Sequence, residues 1–544
     1  MLGLMQDRPL LIQQLIEHAA QNHGDTEIVS RTVEGPLHRY TYADARTRSK
    51  KVAEALRALG IKAGDRIGTL AWNGYRHFEL YYGISGMGAV CHTINPRLFP
   101  EQITYIANHA EDTALFFDLT FLPLVEKLKP ALKTIKTYTL MTDREHMPAN
   151  GQLNGLLCYE GLLAEVPAAF EWPEFDENAA CALCYTSGTT GEPKGVLYSN
   201  RSMLLHTFFL IATRPDLFAH NRTILPVVPL FHANAWSLPY ITPLTGCKFI
   251  LPGAKLDGPT LYDLMESEGA DAGWGVPTVW LGLIDEFKKR GRKPKNLRQI
   301  LSGGSAVPQA MIDTLTRDYD IEVTHGWGMT EMSPVGTLTV FRPEEQKLSP
   351  MERAKLSAKQ GRRMFGVDLK IIDEKGNRAP PDGKTSGELF VRGSTIVSGY
   401  FNNPEASAKQ IDSEGWFGTG DVAKITPDQW LLIVDRTKDL VKSGGEWISS
   451  IDVENAALAC KGLANCAVIG VPHPKWDERP LLVAVKAPGA EPTKAEILDV
   501  LASKIAKWQM PDDVVFVDAL PMTATGKISK KDLRAKFADY KLPG

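Results

Sequence analysis

The chain has 544 residues, 44% of them hydrophobic and 23% charged, with a net charge of −3. That length exceeds what one hydrophobic core supports, so at least two domains are expected. The ordinary composition and near-balanced charge argue against a general nucleic-acid or membrane-surface binder and favour small polar substrates or buried sites.

The opening stretch "MLGLMQDRPLLIQQLIEHAAQNHG" has no basic leader followed by a long apolar run and a small-residue cleavage site, so secretion is not expected. No run reaches the roughly 18 apolar residues of a membrane span. Seven cysteines at scattered positions form no paired framework, which suits a reducing cytoplasm. Thr41-Tyr-Ala-Asp44 reads as a capping box; Val52, Leu56 and Leu59 follow at helical spacing, and Gly60 can close the helix. "DRIGTLAWN" reads as a buried strand, and similar strand-to-helix units recur at "GADAGWGVPTVWLGLIDEFKKRG" and "LRQILSGGSAVPQAMIDTLTRDYDIEVTHGWG". The alternation predicts an α/β fold of mainly parallel sheets covered on both faces. "FRPEEQKLSPMERAKLSAKQGRR" is polar and charge-mixed, so a solvated loop plus helix is expected there. From about Met364 short β-like pieces follow ("DLKIIDEKGN", "GELFVRG", "WLLIVDR"), predicting a β subdomain over 364–434 at the end of a large domain, 1–434. A new βα pattern over 435–544 predicts a small α+β domain, with a second capping box at Thr493-Lys-Ala-Glu496.

The stretch "YTSGTTGEPKG", Tyr185 to Gly195, combines three glycines with hydroxyl side chains and one lysine. Gly188, Gly191 and Gly195 free the backbone to aim several N–H groups at one anion, Ser187, Thr189 and Thr190 add hydroxyl donors, and Lys194 adds a mobile cation. Such chemistry suits phosphate, although the cluster alone would also serve as a surface turn. It is not a G-x-x-x-x-G-K-[ST] loop, because Lys194 follows Pro193 and not a glycine. Gly418-Thr-Gly420-Asp-Val-Ala423 matches a loose dinucleotide pattern but lies among short β pieces, where that motif does not function. Cys181-Ala-Leu-Cys184 has the spacing of zinc and redox sites, yet no second such pair follows, and "ACALCYT" reads as an apolar strand in which cysteine is a small buried hydrophobe.

The segment Thr186 to Gly195 resembles the signature of the adenylate-forming superfamily, and further motifs follow in the family's order: "HGWGMTE" (His325 to Glu331), "TGD" (Thr419 to Asp421), "DRTKDLVKSGGEWIS" (Asp435 to Ser449) and "PMTATGKISKKDLR" (Pro521 to Arg534). Within that superfamily "PLFHANAW", "KSGGEWISS" and "PHPKWDERPLLVAV" look most like bacterial medium- and long-chain fatty-acyl-CoA synthetases and methylmercaptopropionate-CoA ligases. The resemblance implies that ATP and a carboxylic acid give an acyl adenylate and pyrophosphate, after which the CoA thiol displaces AMP.

It also implies a role for each matching position. Thr186, Ser187, Gly188, Thr189, Thr190 and Lys194 would hold the phosphates; Gly304, Ser305, Gly326 and Trp327 would border the adenine, Trp327 by stacking where the family often has tyrosine. Asp421 would accept from the ribose hydroxyls with Arg436 beside it, and Thr330 would lie near the α-phosphate and the acyl carboxylate. Glu331, with Thr186, would hold Mg²⁺. Lys527 would bridge carboxylate and α-phosphate as an electrostatic clamp. Lys438 would be the hinge of a mobile small domain, while Lys442, Ser443, Gly444, Gly445 and Trp447 would meet CoA. His232 and Trp236 would line the acyl site, His232 as a gate-like packing residue and Trp236 as the tunnel gate. A cytoplasmic homodimer is the expected assembly.

Overall fold

Four sheets organise the chain in the computed structural model, which describes all residues except 2, 150–152, 187–191, 445, 524–526 and 544. In a nine-stranded sheet, Glu27–Arg31, Lys248–Leu251, Thr223–Pro226, Ala272–Gly275, Gln299–Gly303 and Glu322–Gly328 run parallel, and antiparallel strands close both edges. A seven-stranded sheet is parallel except for its last pair, Ala180–Tyr185 with Gly195–Ser199. The main apolar core includes residues of both sheets, among them Cys91, Phe249 and Trp274, together with Tyr81 and Trp236 from the segments packed on them. A four-stranded antiparallel sheet, Val367–Ile372 to Leu431–Arg436, follows, and then a separate five-stranded sheet with its own core around Val441, Val468, Leu482 and Ile497. No helix among the described residues is long and apolar enough to cross a membrane.

Local chemistry explains the elements. Thr41 and Asp44 cap the helix Tyr42–Ala58 reciprocally, and Gly60 takes φ +82° after its end. Thr493 and Glu496 do the same for Lys494–Ala502. Cys181 and Cys184 lie fully buried on the strand Ala180–Tyr185 with burial pushing both thiols up, that of Cys184 to about 11, so neither is a poised thiolate. Gly418 to Ala423 lies on the antiparallel strand Phe417–Ile425, outside any βαβ unit.

The polar stretch 341–363 differs from expectation. It forms two short helices, Pro343–Gln346 and Pro350–Ser357, and it is not wholly solvated. Arg362 lies under them, 2.8 Å from both oxygens of Glu345, whose carboxyl is held down to about 2 chiefly by that guanidinium. The Trp430 ring lies 4.4 Å beneath the Arg362 guanidinium, so this charged surface anchors the nine-stranded sheet to the four-stranded one. Mixed charge in a sequence does not say which pairs are buried.

Candidate active site

The strand pair Ala180–Tyr185 and Gly195–Ser199 is an antiparallel hairpin whose end is the glycine-threonine loop. The Thr186 N–H donates to the Lys194 carbonyl at 2.9 Å and the Lys194 N–H returns to Thr186 Oγ1 at 3.3 Å, which pins the base of the loop. Ser187, Gly188, Thr189 and Thr190 lie outside the described residues. Lys194 Nζ sits 4.9 Å over the ring of Tyr400, whose hydroxyl donates to Glu331 Oε1 at 2.8 Å. Glu331 is buried, which raises its carboxyl; Tyr400, Arg436 and Lys194 oppose that rise. The adjacent Thr330 carbonyl accepts from the Tyr198 hydroxyl at 2.7 Å, tying this turn to the loop hairpin.

Asp421 and Arg436 are direct cross-strand partners, so antiparallel register alone brings Arg436 Nε to 2.7 Å from Asp421 Oδ1. The other carboxylate oxygen accepts from the Trp327 indole N–H at 3.0 Å. Trp327 therefore does more than present a flat face: its indole ties the strand Glu322–Gly328 to the Asp421 carboxylate. Burial raises Asp421, and Arg436, Trp327 and Lys527 favour its ionised form.

Lys527 enters this site from the last sheet's side of the chain. Burial and Arg436 pull its ammonium down to about 8, against the attraction of Asp421 and Glu331. Gly304 takes φ +81°, so glycine is favoured there on conformational grounds, and a Cβ on it would lie in ordinary contact with Lys527 Cε at 3.7 Å and Trp236 Cζ2 at 3.8 Å. Ser305 beside it is exposed. A Cβ on Gly326 would press on Leu338 at 3.1 Å, so that glycine serves strand packing as much as access. Burial, and then Lys527, pull His232 down to about 3, leaving a neutral imidazole far too weak to act as a base near neutral pH.

Trp236 is carried by a backbone feature that no local sequence signal marks. Ala233, Asn234, Ala235, Trp236 and Ser237 all have positive φ, between +45° and +69°, forming a left-handed turn without a glycine. Such a backbone costs roughly 1–2 kcal/mol per residue. Its restraints are side-chain bonds: the Tyr81 hydroxyl to Asn234 Oδ1 at 3.1 Å and Ser237 Oγ with His206 Nδ1 at 2.7 Å. The turn lays the Trp236 indole against Gly303 and Gly304, 6.4 Å from the Trp274 ring. Tyr400, equally unforeseen, is 69 positions from Glu331, and no local pattern marks it.

The remaining expected contacts are elsewhere. Lys442 and Trp447 face each other across the hairpin Val441–Ser443 and Glu446–Ile448, with Lys442 Nζ 4.8 Å over the indole. Ser443 accepts from Arg479 at 2.9 Å, and the Gly444 N–H donates to the Trp476 carbonyl at 2.8 Å. These partners belong to the small sheet, and Gly445 lies outside the described residues. Lys438 is exposed, yet desolvation is the main cause lowering its ammonium, and its charge contributes to lowering Lys527.

Residues 16–401 match the model of the AMP-binding enzyme family, and 452–527 match that of the AMP-binding enzyme C-terminal domain. The 3-methylmercaptopropionyl-CoA ligase of Ruegeria lacuscaerulensis is 50% identical over 541 residues, 99% of each chain. The medium-chain-fatty-acid–CoA ligase of Ectopseudomonas oleovorans is 46% identical, covering 100% of this chain and 98% of its own. Among solved structures, an anthranilate CoA ligase in complex with anthranoyl-AMP superimposes with a TM-score of 0.86 at 23% identity over 98% of this chain and 99% of its own, a likeness of fold. With one model spanning most of the chain and full-length relatives near half identity, the chain belongs to the AMP-binding enzyme family.

Proposed function

We infer that this acid–thiol ligase activates an apolar carboxylic acid with ATP, holds the acyl adenylate on its large lobe, and transfers the acyl group to CoA with release of AMP. The observation that supports it most is the seating of Lys527 with Asp421, Glu331 and Arg436 around it and Gly304 against its stem. A cation there faces both a carboxylate beside Trp236 and a nucleotide whose ribose sits on Asp421. Lys527 acts as a clamp on developing negative charge, since a protonated amine cannot be the base. No base is needed for the thiol, because a thiolate is present near neutral pH and the mixed anhydride is already activated.

Magnesium fits the donors. Glu331 is a buried carboxylate whose ionisation burial opposes, so a cation beside it is favourable, and Thr186 supplies a hydroxyl oxygen from the loop base. Nucleotide-bound Mg²⁺ usually keeps several waters and takes few protein ligands, so Glu331 and Thr186 would be enough to hold it. When bound, the ion neutralises phosphate charge; Glu331 and Thr186 orient it. Residues 1–434 form the large lobe and 435–544 the small one, turning about Lys438 so that Lys527 leaves and the face carrying Lys442, Ser443, Gly444, Gly445 and Trp447 takes its place. The assembly is a cytoplasmic homodimer.

The acid is a medium-chain or longer fatty acid; the 50% identity to a 3-methylmercaptopropionyl-CoA ligase favours a second reading, that short thioether acid. CoA-dependent AMP release across straight-chain acids of two to sixteen carbons and methylmercaptopropionate separates the two, and no pyrophosphate from any acid would refute both. Trp236 closes the space beside Gly303 and Gly304, so Trp236→Ala is expected to shift kcat/KM toward bulkier or longer acids by about tenfold. An unchanged profile would return Trp236 to a purely structural role.

A further inference from the structure

Lys527 is carried on a short hairpin that folds back on itself: Met522 bridges Ile528, the Thr523 N–H donates to the Lys527 carbonyl at 2.6 Å, and the Ser529 N–H donates to the Pro521 carbonyl at 2.8 Å. The foot of that hairpin is Lys530, the first residue of the helix Lys530–Lys536. Lys530 is a lysine in a basic tail, where a solvated charge is the ordinary outcome, yet its side chain is only 13% exposed. Its ammonium lies 2.7 Å from Glu454 and donates to Ser450 Oγ. The Ser450 hydroxyl and backbone N–H both donate to Asp435 Oδ2, the N–H at 2.6 Å, and the Arg436 N–H takes the other oxygen at 2.7 Å. Arg436 in turn holds Asp421.

A chain of hydrogen bonds, completed through the covalent frame of Arg436, thus runs from Lys530 at the foot of the Lys527 hairpin to Asp421. Asp435 is the penultimate residue of the strand Leu431–Arg436 in the four-stranded sheet, three positions before Lys438, so it stays with the large lobe's sheet although the small lobe is counted from 435, whereas Ser450, Glu454 and Lys530 all follow the hinge. The covalent path between the two groups passes through Lys438, so a turn about it would move Ser450 relative to Asp435. Beside them the Ser449 hydroxyl donates to the Val434 carbonyl at 2.6 Å, a contact a turn at Lys438 would also break, and Arg534 holds Asp439 at 2.8 Å.

We propose that Lys530 and Asp435 are positioning residues for adenylation: through Ser450 they lock the Lys527 hairpin onto the large lobe in the orientation that forms acyl-AMP, and the lock opens before the thiol step. This rests on the two-step ligase reading and on Lys438 as its hinge. Removing the lock leaves Lys527 intact but sampling a wider range of positions, and misplacement of about 1 Å is worth about 100-fold in rate.

Two half-reactions measured separately test it, pyrophosphate release from acid and ATP and thioester formation from supplied acyl-AMP and CoA. Asp435→Asn, which keeps size and shape, is expected to lower the kcat of pyrophosphate release by about tenfold with KM for ATP within about threefold. Thioester formation should stay at the wild-type rate or rise, because the other orientation is no longer opposed. Lys530→Met should repeat the pattern and Lys530→Arg should restore most of the loss. Should Lys530→Met not fold, the Asp435→Asn result decides alone. Equal loss in both half-reactions, or pyrophosphate release unchanged in Asp435→Asn, overturns the proposal while leaving the ligase reading standing. A wild-type protein that yields no pyrophosphate with any acid overturns both.

Discussion

Lys527→Ala is expected to lower acyl-adenylate formation by about 10²–10³-fold, the usual cost of removing one preorganised donor from a developing charge. Thioester formation from supplied acyl-AMP should remain within a few-fold of wild type, since the proposed turn about Lys438 takes Lys527 out of the site before the thiol step. The protein's own field gives this prediction a pH signature. Burial and Arg436 bring the ammonium to about 8, so the clamp is charged below that pH and lost as pH rises through it. Bound carboxylate and phosphates add negative charge beside the ammonium and raise its pKa. For the wild type, kcat/KM for adenylation should therefore fall above about pH 8, and kcat only at higher pH; Lys527→Ala should abolish the alkaline limb in both. A limb that survives the substitution belongs to another group. The same shift works against closure before substrates arrive: an ordinary lysine keeps its proton to higher pH, so seating a charged Lys527 in the site disfavours the closed arrangement below about pH 8, a penalty that lifts as the proton leaves.

Short-range chemistry was legible in the sequence and long-range pairing was not. The capping boxes at Thr41 and Thr493 and the strands before Pro277 and Gln309 could be read because each depends on residues within a few positions of one another. The family motifs name Asp421, Arg436 and Trp327, but neither resemblance nor periodicity says that an indole N–H reaches a carboxylate 94 positions away. Tyr400 on Glu331 escaped for the same reason, and so did Lys530, which in one dimension is another charge in "GKISKKDLR". The left-handed turn over Ala233 to Ser237 is a different kind of omission. Alanine and tryptophan give no local reason to adopt it, so it exists because Tyr81, His206 and the packed helix Leu238–Thr245 impose it from outside. Strain held by distant restraints at a candidate functional residue such as Trp236 is where local rules are expected to fail.

The coupling of Trp327, Asp421 and Arg436 makes the second large effect a compound one. Asp421→Asn keeps the shape of the side chain but removes the charge on which Arg436 Nε rests at 2.7 Å and weakens the acceptor for the Trp327 indole. Hydrogen bonds to charged groups contribute about 1.5–3 kcal/mol each, so losing charge toward both Arg436 and the ribose hydroxyls should raise KM for ATP by about 100-fold. Since Asp421 also supports the Lys527 ammonium, its neutralisation should lower that pKa further and move the alkaline limb of adenylation below pH 8. These two effects have separate origins, nucleotide affinity and the charge of a lysine on another segment, and one substitution should produce both. Trp327→Phe provides the contrast: it keeps a flat face for adenine and drops the indole donor without altering local charge, so KM for ATP should rise severalfold while the limb stays in place. If Asp421→Asn weakens ATP binding but leaves the pH limb where it was, Lys527 is not seated within reach of that carboxylate during adenylation, and the closed arrangement is not the one in which acyl-AMP forms.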